Sequence, residues 1–253
     1  MKLLFSYIII LFTVSFSLAQ NKTIFEQANT FYNNGEYEKA IKKYEQILSS
    51  KKHSAELYFN LANAHYKLNH IAPSIFYYEK ALLLNPNDKE INNNANFARN
   101  MTIDAIETVP EVGLKRIFNE IIRALHFDSW AWWSVISIFL FVALIITYQL
   151  SYTTSIKRIT FIGGFVCFLA TIITLVFAFQ SYTLFNKKNP AIVFAKSSEV
   201  KSEPNLRSNK AFELHEGTKV NVIEEVKNWK KIELSDKNSG WILAEDIKLL
   251  KNF

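Results

Sequence analysis

Five histidines, one cysteine and scattered carboxylates are the residues of this 253-residue chain that could carry bond-making chemistry. His53, His65, His70, His126 and His215 form no metal pattern. His65 and His70 are five positions apart, off the i,i+4 face that a helical pair of ligands shares. Cys167 stands alone inside an apolar run, so it makes no internal disulfide and meets no water as a nucleophile. No G-x-S-x-G, P-loop or G-x-G-x-x-G occurs. The chain therefore reads as a non-enzyme, with no catalytic, cofactor or metal constellation. What remains is recognition. The 29 Lys and Arg against 23 Asp and Glu leave a net charge of +6 that is spread along the chain and does not point to nucleic acid.

The elements that could position recognition residues begin with an internal repeat. Residues 21–54 align with residues 55–88 at a spacing of 34 without a gap. In that register Ala28 meets Ala62, Tyr32 meets Tyr66, Tyr44 meets Tyr78 and Leu48 meets Leu82. Gly35 is replaced by Asn69, and both residue types accept positive φ in a turn. Pro86 stops the second unit. Each half-repeat has the length of a helix of three to four turns. Lys89 to Thr102 supplies a capping helix, with Ile91, Ala95 and Ala98 toward the repeats.

Tyr58, Leu61, Ala62, Tyr66, Ser74, Tyr78, Ala81 and Pro86 resemble the tetratricopeptide (TPR) motif, with His65 and Lys52 as departures. The resemblance implies two TPR repeats over 21–88, whose first helices line a groove for peptides. The groove-lining residues it implies are Phe25, Asn29, Tyr32, Phe59, Asn63, Tyr66 and Lys67; the alternative is that these side chains only pack and solvate the array. Asn29 and Asn60 occupy two positions of the carboxylate clamp found in some TPR domains. Phe25, Glu90 and Asn94 stand where that clamp has cations, so a carboxylate clamp is not expected.

Residues 1–19 have the layout of a secretory signal peptide, with Lys2, an apolar stretch and Ser17-Leu18-Ala19 before Gln20; a retained anchor is the alternative. Residues 89–128 hold the capping helix and then an amphipathic helix. There Leu114, Ile117, Phe118, Ile121, Ile122 and Leu125 recur at helical spacing opposite Lys115, Arg116, Asn119, Glu120 and Arg123. This helix either lies in the headgroup region or packs against the repeats. Uncharged runs at 130–150 and 159–181 predict two transmembrane helices, with Trp130, Trp132 and Trp133 at the interface. The eight residues 151–158 between them force an antiparallel hairpin. Export of the N-terminus would put the Lys157-Arg158 turn in the cytoplasm and both flanking domains in the periplasm.

After Pro190 the pattern turns to short alternating runs separated by turn signals, which indicate a small β-barrel over 190–251. Leu214 to Val220, Trp229 to Ile232 and Gly240-Trp241-Ile242 resemble the bacterial SH3-like domain. Trp229 lies opposite the core-facing Ile232 and Leu234. Together with Trp241 it is a candidate ligand platform, unless both indoles pack under a loop. The fold class is thus multidomain: all-α TPR repeats, a two-helix transmembrane hairpin and a small all-β SH3-like barrel.

The order of these parts is similar to the BatE-type family of the Bacteroides aerotolerance (Bat) operon. So are the phrases Asn96-Phe97-Ala98-Arg99-Asn100, Trp130-Ala131-Trp132-Trp133 and Leu214-His215-Glu216-Gly217-Thr218. That resemblance implies a Bacteroidota inner-membrane protein working beside von Willebrand A-domain proteins and a MoxR-type ATPase in envelope or oxidative-stress tolerance. It implies partners and no mechanism. Two functions follow: a scaffold binding proteins through both exported domains, or a module in which the SH3-like tail reads peptidoglycan.

Overall fold

The computed structural model describes residues 21–104, 106 and 113–252; the signal peptide expected over 1–19 lies outside them. Residues 21–33 form helix α1. It is followed by α2 (Tyr37–Ser49), α3 (Ala55–Lys67), α4 (Ile71–Leu84) and α5 (Lys89–Arg99). The starts of α2 and α4 are 34 residues apart, as are those of α3 and α5, so α5 stands where the first helix of a third unit belongs. The inter-helix turns obey the same period, with Gly35 at φ +80° and Asn69 at φ +57°. Ser54 caps α3 by accepting from the Leu57 amide, and Asp88 caps α5 by accepting from Glu90 and Ile91. Ala28, Ala62 and Ala81 are fully buried, which allows close approach of helices around Tyr44, Tyr58 and Tyr78.

The C-terminal segment forms seven antiparallel strands: β1 (Pro190–Val193), β2 (Ser197–Lys201), β3 (Lys210–His215), β4 (Lys219–Val226), β5 (Trp229–Glu233), β6 (Ser239–Leu243) and β7 (Ile247–Leu249). Their order across the sheet is β3-β2-β6-β5-β4-β1-β7. Alternation selects one face of each strand, and Val193, Val200, Leu214, Val222, Ile232, Ile242 and Ile247 share a single apolar core. Gly240 is required where β6 crosses β2, because a Cβ there would come within 2.5 Å of a Val200 methyl.

This β domain and the helical array make one compact unit. Ile192 and Leu250 are fully buried, and they belong to the apolar cluster of Ile75, Phe76, Ile91, Ala95 and Ala98. Phe194 stacks edge-on against Phe76 at 5.5 Å. Burying two such aliphatic side chains is worth about 3–6 kcal/mol. The strand ends therefore cover apolar surface of α4 and α5 that a further helix would otherwise have to cover. Gly217, at φ +89°, touches α4 so closely that a Cβ would lie 2.8–2.9 Å from Thr102, Ile71 and Ile75.

Polar groups ring this contact. Asp104 accepts from the His215 backbone amide (2.7 Å), the His215 ring (2.7 Å) and the Thr218 hydroxyl (2.6 Å). Burial opposes ionisation of Asp104, but these donors outweigh it and hold the carboxyl below its ordinary pKa. Glu79 is buried between Lys219 (2.5 Å) and Arg99 (2.6 Å). Burial pushes its pKa up, yet the two cations win and it stays ionised. Lys80 reaches the Asn252 carbonyl at 2.9 Å.

A second compact unit, residues 109–188, holds α6 (Leu114–Arg123), α7 (Phe127–Leu150) and α8 (Thr154–Lys187). α7 and α8 pair antiparallel, and each is long and apolar enough to cross a membrane. Both outrun the expected 130–150 and 159–181. The connection is residues 151–153 rather than 151–158, so Lys157 and Arg158 lie in the first turns of α8 and not in a loop. Nothing in that stretch breaks a helix, since it holds neither Gly nor Pro.

Candidate peptide-recognition face

Helices α1, α3 and α5 present one face each along the array, and asparagines dominate it. Asn29 Oδ1 accepts from the Tyr44 hydroxyl (2.6 Å) and from Asn60 Nδ2 (3.2 Å). One repeat later, Asn63 Oδ1 accepts from the Tyr78 hydroxyl and from Asn94 Nδ2 (3.1 Å). Each residue of the second set is the first set's counterpart shifted by 34. The rings repeat too, with Phe25 at 5.8 Å from Tyr44 and Phe59 at 6.0 Å from Tyr78.

Burial raises the Tyr44 and Tyr78 phenols well above their ordinary pKa, so both remain protonated donors. Each fixes one asparagine oxygen, which turns the amide NH2 group away from the tyrosine. Among the described residues, the Nδ2 groups of Asn29 and Asn63 and the Oδ1 atoms of Asn60 and Asn94 take no hydrogen bond within the chain. The face thus offers oriented amide donors and acceptors in pairs. That is the complement of an extended peptide backbone, whose N–H and C=O groups alternate.

The seven residues expected to line a groove fall on two of these helices. Phe25, Asn29 and Tyr32 share a face of α1 at i, i+4 and i+7; Phe59, Asn63 and Tyr66 repeat it on α3, and all six are half-buried. Lys67 is exposed at the end of α3. Tyr32 packs edge-on against Tyr37 at 5.3 Å. Asn60 and Asn94 complete the face but were not among the expected lining. Their recurrence at the repeat spacing is the signal that marks them. His65 takes the place of an aromatic by stacking on Tyr77 at 5.5 Å; burial, helped by His70, lowers its pKa to about 4, so it is neutral at pH 7.

The two indoles proposed as a platform lie on β5 and β6, on the side opposite Ile232 and Ile242. Both are only 8% exposed. Lys231, paired with Trp241 across the strands, holds its ammonium 5.8 Å from that ring's centre. Neither indole is displayed as an open surface.

Family models match three stretches of the chain: a tetratricopeptide repeat at residues 55–88, a TPR repeat at 28–69 and a bacterial SH3 domain at 197–248. The array is TPR-like, and the β domain is SH3-like. No curated protein matches the chain. TPR and bacterial SH3 domains suggest protein interaction and possible cell-wall binding, and the asparagine face belongs wholly to the TPR part.

Proposed function

We propose that this chain is a non-enzymatic, membrane-anchored adaptor that holds an extended segment of a partner protein on the asparagine face of its TPR region. The observation that carries the reading is the duplicated Asn–Tyr–Asn arrangement, with amide donors and acceptors left toward solvent on α1, α3 and α5. The α7–α8 hairpin, long and apolar enough to span, supplies the anchor. An antiparallel pair returns the chain to the side it left, which is what docking of the TPR and SH3-like domains demands. An N-terminal export signal makes that side the periplasm, and puts Lys157 and Arg158 at the cytoplasmic end of a bacterial inner-membrane hairpin. The resemblance to the BatE-type family supports a Bat-type envelope-stress complex in a Bacteroidota cell, with von Willebrand A-domain membrane proteins as partners.

Photo-crosslinking from position 66 in intact cells tests this reading. A discrete adduct with another envelope protein is expected, weakened when Asn29 and Asn63 are both changed to Ala. Folded, inserted protein that yields no adduct would reduce the repeats to a spacer. A second reading, peptidoglycan binding through the SH3-like domain, draws on the bacterial SH3 match. Sedimentation of the detergent-solubilised, folded chain with purified peptidoglycan would favour it. Absence of sedimentation removes it.

A further inference from the structure

Helix α6 divides into three sectors at about 100° per residue. Ile122 and Asn119 are buried, 0% and 7% exposed, where α6 packs on α8. Arg116, Glu120 and Arg123 lie together in water, and Arg116 pairs with Glu120 at 2.7 Å. Between these sectors, on the side away from the charges, Ile117, Phe118 and Ile121 are 55%, 43% and 44% exposed. A soluble helix rarely leaves three neighbouring large apolar side chains open beside a charged face.

The height of α6 along the hairpin is fixed by contacts. Trp130, in the first turn of α7, donates its indole N–H to the Ile122 carbonyl at 3.1 Å. Phe177 of α8 meets both Trp130, at 5.1 Å, and Phe118, at 5.7 Å. Phe177 is 19 positions beyond Arg158, a rise of about 29 Å, which matches the roughly 30 Å hydrocarbon core of a bilayer. With Arg158 at one headgroup layer, Phe177, Trp130 and α6 fall at the other. α8 has 34 residues, more than the core needs, and its excess lies past Phe177, where Tyr182 and Phe185 pack on Phe127. Tryptophan at that level is the usual interfacial residue.

We propose that α6 is a lipid-surface helix, lying in the boundary between headgroups and acyl chains with Ile117, Phe118 and Ile121 in the lipid. The occupant of this apolar sector is the bilayer, because the sector is continuous with the outward-facing surface of α7 and α8 at the depth where those helices leave the hydrocarbon. The charged sector then faces water and the phosphates. This rests on the membrane-anchored reading above, and it makes the anchor three helices, two spanning and one lying flat.

The test uses the full chain in phosphatidylethanolamine–phosphatidylglycerol vesicles. On a Cys167→Ser background, single cysteines replace Ile117, Phe139 or Leu206 and carry an environment-sensitive fluorophore. These three positions are exposed on the protein, so labelling need not disturb folding. Quenching by iodide reports water, and quenching by lipids nitroxide-labelled at shallow or deep acyl positions reports depth. The expected result is deep quenching at 139, shallow lipid quenching at 117 and iodide quenching at 117 several-fold weaker than at 206. Deep quenching at 139 with position 117 as open to iodide as 206 overturns the proposal and leaves the anchor standing. So does protection of 117 from iodide and lipid alike, which means a protein covers it. Iodide access at 139 equal to that at 206 overturns the anchor itself, and the proposal with it.

Discussion

Asp104 and His215 are 111 positions apart in the chain, yet the Asp104 carboxylate accepts from both the backbone amide and the ring of His215 within 2.7 Å. The segment that follows α5 thereby holds the end of β3 and the β3–β4 turn of the SH3-like domain, with the Thr218 hydroxyl as a third donor. Two modules separated in sequence by an apolar helical hairpin are folded as one compact unit. The SH3-like domain covers apolar surface of α4 and α5 through Ile192 and Leu250.

Asp104→Ala is expected to strip three donors of their partner at once and to destabilise the docked unit by about 2–4 kcal/mol. Urea unfolding should show it as a lower midpoint, or as two transitions where the parent has one. Because the folded Asp104 pKa is depressed, its contribution is complete above the ordinary aspartate value of about 3.9 and is lost as pH falls through the lower folded value.

Two glycines with similar φ separate backbone strain from docking. Gly35→Ala meets no atom within 4 Å and should cost only the left-handed penalty of about 1 kcal/mol. Gly217→Ala adds a Cβ inside van der Waals contact of Ile71, Ile75 and Thr102, so its cost should be about 2–4 kcal/mol. Equal melting temperatures for the two variants would contradict the close packing at Gly217.

Tyr78→Phe removes the hydroxyl that orients Asn63 and should cost about 1 kcal/mol of stability. Asn63→Leu leaves the buried Tyr78 hydroxyl without its acceptor and should cost more, about 1–3 kcal/mol. The double variant is expected to be less destabilised than the sum of the two, by roughly 1 kcal/mol. Partner crosslinking from position 66 should weaken in all three.

His65 sets an acid limit on the TPR region. Its folded pKa, about 4, lies below the usual 6.5, so the unfolded chain binds the proton first. Stability is therefore greatest above pH 6.5 and declines as pH falls toward 4, by on the order of 3 kcal/mol. His65→Phe keeps the stack on Tyr77 and should flatten this part of the profile. Denaturation curves of the two proteins at pH 7.5 and pH 5 decide it.

Much of this architecture was legible in residue order because local periodicity specifies it. A 34-residue register placed Gly35 and Asn69 in equivalent left-handed turns, long uncharged runs produced α7 and α8, and alternation produced the β domain. That Asn29 and Asn63 take equivalent places on α1 and α3 was readable from the 34-residue register. Asn60 and Asn94 carried the same spacing, but their part depends on hydrogen bonds to neighbouring helices that no motif position expresses. Burial of Trp229 and Trp241 depends on what folds over the outer face of β5 and β6, which alternation alone leaves undecided. The docking of the two domains lay furthest from view. Asp104, Glu79, Lys219 and Gly217 look like ordinary surface and turn residues one by one, and they acquire partners only when distant segments meet. Local pattern determined which elements form; non-local contact free energy, through Ile192, Leu250 and the Asp104 and Glu79 networks, decided that they fold as one unit.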